Sequence, residues 1–125
     1  MKRILVVEDN ASSAKLLTDI LTFWGYTVLP AGDGVEGIRL ARAERPDLIM
    51  MDVQMPVMDG LTAIKELRRD EATRDIPIIC VTSDTMRSSR EKVLSMGGSD
   101  FISKPIDIAE VRDMVRKHLK EEQKD

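Results

Sequence analysis

Glu8, Asp9 and Asp52 supply three carboxylates, Thr82 and Ser83 supply hydroxyls, and Lys104, followed by Pro105, supplies an ammonium. Each group stands directly after a short run of strand character. Glu8 and Asp9 follow ILVV, Asp52 follows LIMM, Thr82 and Ser83 follow IICV, and Lys104 follows DFIS. A further run, YTVLP, exits into Ala31 and Gly32 and adds nothing to the set. Parallel α/β sheets bind ligands at the carboxyl ends of their strands, at a topological switch point, so these groups are expected along one sheet edge. Three carboxylates placed together repel one another unless protons or a cation neutralise them. No histidine or cysteine stands at these exits, and an all-oxygen donor set suits Mg²⁺, Ca²⁺ or Mn²⁺ rather than zinc. Few protein ligands with several waters is the habit of magnesium, and its open positions can take a phosphoryl oxygen.

Such a site needs a frame, and the hydrophobic pattern provides one. Five strand-like runs are expected at Ile4 to Val7, Tyr26 to Pro30, Leu48 to Met51, Ile78 to Val81 and Asp100 to Ser103. The first, third and fourth are apolar at every position, as strands covered by helices on both faces are. Between them lie stripes at helical spacing: Leu16, Leu17, Ile20, Leu21 and Trp24; Val35, Ile38 and Ala41; Leu61, Ile64 and Leu67; and Ile108, Val111, Val115 and Leu119. A shorter, more polar helix is expected around Val93, Leu94 and Met96. Ser88 with Glu91 has the form of a capping box, and Asp33 with Glu36 and Asp107 with Glu110 repeat the spacing with an aspartate cap. Gly25 and Gly97-Gly98 are expected helix stops. Strand then helix, five times over, implies a doubly wound parallel sheet.

With 125 residues, the chain suits one domain that buries one core, expected over residues 1–121 with a frayed, solvated end at 122–125. A net charge of -3 gives no general attraction to nucleic acid or anionic membrane. The single cysteine, Cys80, forbids an internal disulfide and fits a reducing compartment. No segment approaches the ~18 consecutive apolar residues of a membrane span, and the apolar run near the start is too short for a signal peptide. A cytoplasmic location is expected.

The motifs VVEDN, MMDVQMPVMDG, VTS and SKP, in that order and at these spacings, resemble those of response-regulator receiver domains of two-component signalling. The likeness covers essentially the whole chain and implies a flavodoxin-like (βα)5 fold with strand order 2-1-3-4-5 and no output domain, similar to single-domain regulators of chemotaxis and cell-fate relays. It implies that Asp52 accepts a phosphoryl group from phosphohistidine. Asp9 and Asp52 would bind Mg²⁺ through carboxylates, Gln54 through its backbone carbonyl and Glu8 through water. Lys104 and Thr82 would contact phosphoryl oxygens. Phe101 would turn inward behind Thr82, changing the surface around the fourth helix, fifth strand and fifth helix. Gln54 and Asp84, two residues after Asp52 and Thr82, sit where members vary and are expected to set the lifetime of the phosphorylated state. The resemblance also implies a histidine kinase or histidine phosphotransfer domain as donor, docking near Asn10, Ser13, Ala14 and Pro105, and a protein target downstream. A monomer is expected, with phosphorylation-dependent dimerisation open, as is the isomer of the Lys104-Pro105 bond.

Blander readings compete at each position. Glu8 and Asp9 alone would be a polar loop, with Asn10 or Asp9 capping a helix. Ser83 is as well explained by a strand end as by function, and Phe101 by core filling. Cys80 reads as a small buried hydrophobe, and Met50, Met51, Met55 and Met58 as filler. His118, in the last turns of a helix with Lys117 and Lys120 beside it, reads as a surface or packing residue. Among whole-chain rivals, an aspartyl-nucleophile phosphatase would commonly carry an aspartate where Gln54 stands. A flavin or nucleotide binder would want a Gly-rich or hydroxyl-rich loop, not acids, after the first run. A receiver-like docking module without phosphorylation is the closest alternative. The expected role is a signalling switch rather than an enzyme, catalysing only its own phosphoryl gain and loss.

Overall fold

The computed structural model describes residues 2–53, 60–82 and 87–119. Strands and helices alternate: β1 (Arg3–Val7), α1 (Ala11–Phe23), β2 (Thr27–Ala31), α2 (Gly34–Glu44), β3 (Leu48–Asp52), α3 (Gly60–Arg69), β4 (Ile78–Thr82), α4 (Arg87–Ser95), β5 (Asp100–Ser103) and α5 (Ile108–Leu119). The strands form one parallel sheet in the order β2-β1-β3-β4-β5, the order the resemblance implied. In register, Val7 lies beside Met51, Asp52 beside Val81 and Thr82 beside Ser103. The carboxyl ends of the four strands therefore line up.

The uniformly apolar strands feed two cores, because alternate side chains point to opposite faces. Leu5, Val7, Ile49, Met51, Ile78 and Cys80 pack under α2, α3 and α4. Ile4, Val6, Leu48, Met50, Ile79 and Val81 pack under α1 and α5, against Leu17, Leu21, Val111 and Val115. Cys80 is buried, and burial pushes its thiol up to about 12, which suits the inert reading.

Helix ends follow local chemistry. Asn10 caps α1, its side chain accepting from the Ser13 N–H. Asp33 caps α2 through the Glu36 N–H, and Asp107 accepts from the N–H groups of Ala109 and Glu110 at the start of α5. Helix α4 is described from Arg87, and the side chain of Ser88, the expected cap, lies outside the described residues. At the other ends, Gly25 (φ +96°) and Gly97 (φ +110°) take the left-handed conformation that stops a helix. The Gly25 and Tyr26 N–H groups donate back to Thr22 and Leu21, and those of Gly97 and Gly98 to Leu94 and Val93.

Three stripe residues lie outside the core. Leu16, Val35 and Ile108 are exposed. On α1 the sheet-facing row is Leu17 and Leu21, which leaves Leu16 on the flank. On α2, a Cβ at Gly37 would sit 2.8 Å from Val7 Cγ2, so the helix settles onto the sheet through its glycine side and turns Val35 outward. Ile108 opens α5, ahead of its first buried residue, Val111. The second strand is shifted by one residue from Tyr26 to Pro30, since ladder pairing runs from Thr27 to Ala31.

Candidate functional site

β1 runs out into Glu8 and Asp9, β3 ends at Asp52, β4 ends at Thr82, and β5 leads into Lys104. Parallel register then brings residues far apart in sequence to one edge. A carboxylate oxygen from each of Glu8, Asp9 and Asp52 lies within 4.8 Å of the others. Lys104 Nζ is 3.0 Å from Glu8 Oε1 and 3.3 Å from Asp52 Oδ2. Its backbone N–H donates to the Thr82 carbonyl at 2.7 Å, tying the exits of β4 and β5 together. Glu8, Asp52 and Thr82 are buried, whereas Asp9 is exposed at the rim. The Lys104-Pro105 peptide is cis.

α3 begins close behind β3. A Cβ at Gly60 would lie 2.6 Å from Val53 Cα and 2.7 Å from the Asp52 carbonyl oxygen. Only glycine lets the helix start there, and its N–H donates to the Val53 carbonyl at 3.1 Å.

The charges do not balance. Burial, and then a hydrogen bond with Asp52, push the Glu8 carboxyl up to about 7 against the opposing pull of Lys104 and the Asn10 N–H. Burial works against the Lys104 ammonium, but Glu8 and Asp52 outweigh it and hold the ammonium above its ordinary pKa. Three acids facing one ammonium make a place for a further cation or a proton. The donors are all oxygens and one of them sits at an open rim, which fits a hard divalent ion such as Mg²⁺.

Beside the acids, a cavity of about 200 Å³ is lined by Glu8, Ser13, Leu16, Lys104, Pro105 and Ile106, so two residues of the expected docking surface meet there. Asn10 serves as the α1 cap, and Ala14 is half-buried on that helix. Phe101 is half-buried and packs against the core under α2, α3 and α4. Gln54, Ser83 and Asp84, with Met55 and Met58, lie outside the described residues. A larger groove of about 620 Å³ between α2 and α3 holds none of the expected site residues.

Two residues act where their sequence surroundings do not suggest it. Of the two readings of His118 the packing one holds: its Nε2 is 2.9 Å from Asp100 Oδ2, pinning the end of α5 to the start of β5. Arg68 donates to the carbonyls of Gly97, Arg74 and Ile76, which fastens α3 to the turn between α4 and β5. Neither link could be read locally, because the partners are 18 and 29 residues away for His118–Asp100 and Arg68–Gly97.

The family model described as the response regulator receiver domain matches residues 4–116. The polar-differentiation response regulator DivK of Brucella anthropi is 37% identical over 118 residues, covering 94% of this chain and 96% of its own length. The receiver domain of the sensor histidine kinase PA1611 from Pseudomonas aeruginosa PAO1, solved with a magnesium ion coordinated in its active-site cleft, superposes with a TM-score of 0.89 at 34% identity, covering 95% of this chain and 98% of that one. The Vibrio cholerae chemotaxis protein CheY4 gives a TM-score of 0.88 at 28% identity, covering 94% and 98%.

Proposed function

The chain belongs to the response regulator receiver family of two-component signalling, and from that premise we propose that it is a switch in which Asp52 accepts a phosphoryl group with the help of Mg²⁺ or Mn²⁺. The observation that carries this reading is the convergence of buried Asp52, Glu8 and Lys104 with rim-exposed Asp9 at one sheet edge. Asp9 and Asp52 would hold the ion with carboxylates, the Gln54 carbonyl would complete the protein ligands, and Glu8 would act through water. When bound, the ion offsets charge on the phosphoryl group in flight.

The rest falls to side chains of this chain. Asp52 is the nucleophile: its carboxylate oxygen bonds to phosphorus as the P–N bond of phosphohistidine breaks, and the imidazole nitrogen keeps the electron pair. Lys104, released from its bridge to the acids, places a compact charge on a phosphoryl oxygen. The Thr82 hydroxyl donates to another, and Phe101 follows into the space behind it. That changes the face built by α4, β5 and α5, where a downstream protein would read the state. Gln54 and Asp84 would set how fast water removes the group, so both Gln54→Ala and Asp84→Ala leaving the dephosphorylation rate unchanged would reject that role.

The phosphodonor would be a histidine kinase or histidine phosphotransfer domain seated over the cavity at Ser13, Leu16 and Pro105. No helix among the described residues is long and apolar enough to cross a membrane; a cytoplasmic location belongs to the proposal and rests on the switch reading itself. The test is intact-mass spectrometry after incubation with acetyl phosphate, with and without Mg²⁺, on wild type and Asp52→Asn. One added phosphoryl group that needs both Mg²⁺ and Asp52 supports the switch. An adduct that survives Asp52→Asn overturns the assignment.

A further inference from the structure

A second surface lies at the end of α1 opposite the acids, where α1 meets α5. Trp24 closes α1, 13 helical residues after its start, which places it about 20 Å along the helix from the end beside Glu8 and Asp9. There Phe23, Trp24 and Tyr26 line a cavity of about 300 Å³ together with Arg112 and Arg116 of α5. The Arg112 guanidinium stacks over the Trp24 ring at 5.6 Å from its centroid, which leaves its N–H edge available. Arg116, one turn further along α5, lines the same hollow. Among the described residues neither guanidinium has a carboxylate partner, in a chain whose net charge is -3.

The rim beside these cations is mostly apolar. Phe23 is 87% exposed, and with Ile20, Trp24 and half-exposed Ile108 it lines an adjoining hollow, whose one carboxylate, Asp19, is paired with Lys15 at 2.8 Å. A large aromatic ring held in water is uncommon on a surface that serves solubility alone. Two planar donors beside an apolar shelf match one kind of occupant: a carboxylate-rich segment carrying an aromatic or aliphatic side chain.

We propose that the α1–α5 end bearing Phe23, Arg112 and Arg116 docks an acidic segment of a partner protein, with an apolar side chain of that segment on Phe23 and its carboxylates on the two guanidiniums. The surface shares no residue with the phosphoryl site, and its two cations lie on the side of α5 that meets the end of α1 rather than on the face α5 shares with α4 and β5, so docking is expected in either state of Asp52. It would hold the partner whether or not the switch is on.

Trp24 is the only tryptophan in the chain and borders both hollows, so its emission reports this surface alone. The probe is a blocked hexapeptide with one phenylalanine among glutamates, titrated at low salt while Trp24 fluorescence is followed. Expected is a saturable change that fades as salt is raised. It should be unchanged in Asp52→Asn, and weaker by about tenfold or more in Phe23→Ala and in the double variant Arg112→Glu, Arg116→Glu. Both variants change exposed or half-exposed residues, and circular dichroism checks that they fold. The proposal is overturned by the absence of a saturable change, by equal binding of the peptide with lysines in place of glutamates, or by full binding to the double variant. A Trp24 change that tracks protein concentration and sedimentation as a dimer would assign the surface to a second copy of the chain and overturn it too.

Discussion

Glu8 and Asp52 are buried within reach of the Lys104 ammonium, with Asp9 beside them, so the metal-free site carries more negative charge than it can neutralise. The proton on Glu8 makes up part of the deficit. Its pKa is raised from 4.5 to about 7, so the folded chain holds this proton more tightly than the unfolded chain does. The resulting stabilisation is complete below 4.5 and is lost as pH rises through about 7. With metal chelated, unfolding midpoints in urea should therefore fall between about pH 5 and about pH 8, by a free energy of about 1–3 kcal/mol. Mg²⁺ should restore more stability at the higher pH, and Asp52→Asn should flatten the metal-free profile. A metal-free profile already flat in wild type would mean that the acids are not crowded. Lys104→Met tests the same balance from the other side. It leaves buried carboxylates without their cation and should cost about 2–4 kcal/mol at about pH 8, and less at about pH 5, where Glu8 carries its proton.

At the scale of the elements, glycine positions separate what local sequence encodes from what it does not. Gly25 and Gly97 are both legible as stops, because a helix stripe ends just before each. Their surroundings differ in a way no local pattern reveals. A Cβ on Gly25 meets nothing within 4 Å, whereas one on Gly97 lies 2.8 Å from Arg68 Cγ. Gly25→Ala should cost only the strain of a positive φ, about 1–2 kcal/mol. Gly97→Ala should cost more, because Arg68 must shift while it holds the carbonyls of Gly97, Arg74 and Ile76. Equal losses in urea denaturation would mean that Arg68 yields freely. The same contrast runs through the rest of the fold. The buried strands, three aspartate or asparagine caps and the strand-exit residues follow from neighbours in sequence and from one rule about parallel sheets. The outward turn of Val35 depends on Gly37 meeting Val7 across the sheet, and the pinning of His118 depends on Asp100. Those are tertiary facts. Within the site, the edge occupied by Glu8, Asp9, Asp52, Thr82 and Lys104 was legible. That Glu8 is the buried acid of the leading pair and Asp9 the exposed one was not, since both orders satisfy the same run of residues.

Across the whole molecule, the two ends of the sheet carry different work. The carboxyl end gathers like charges that destabilise the empty fold, and the opposite end of β5 carries an ion pair that stabilises it. Asp100 is buried beside His118 at 2.9 Å, with Lys117 at 3.5 Å. Burial alone would raise its pKa, but His118, the Phe101 N–H and Lys117 outweigh burial and hold the carboxyl below its ordinary value. A depressed acid stabilises the fold above its unfolded pKa of 3.8 and loses that contribution as pH falls through the lower folded value. Asp100→Asn should therefore cost about 1–3 kcal/mol near neutrality, with the gap to wild type closing as the pH is taken below 3.8. The pH slope is thus opposite in sign to the one expected from Glu8. If the division of labour holds, Asp100→Asn lowers the urea midpoint while Mg²⁺-dependent labelling of Asp52 by acetyl phosphate proceeds at the wild-type rate in the folded protein. A slowed labelling rate would show that strain at the start of β5 travels along that strand to Lys104, and the sheet would have to be treated as one coupled unit.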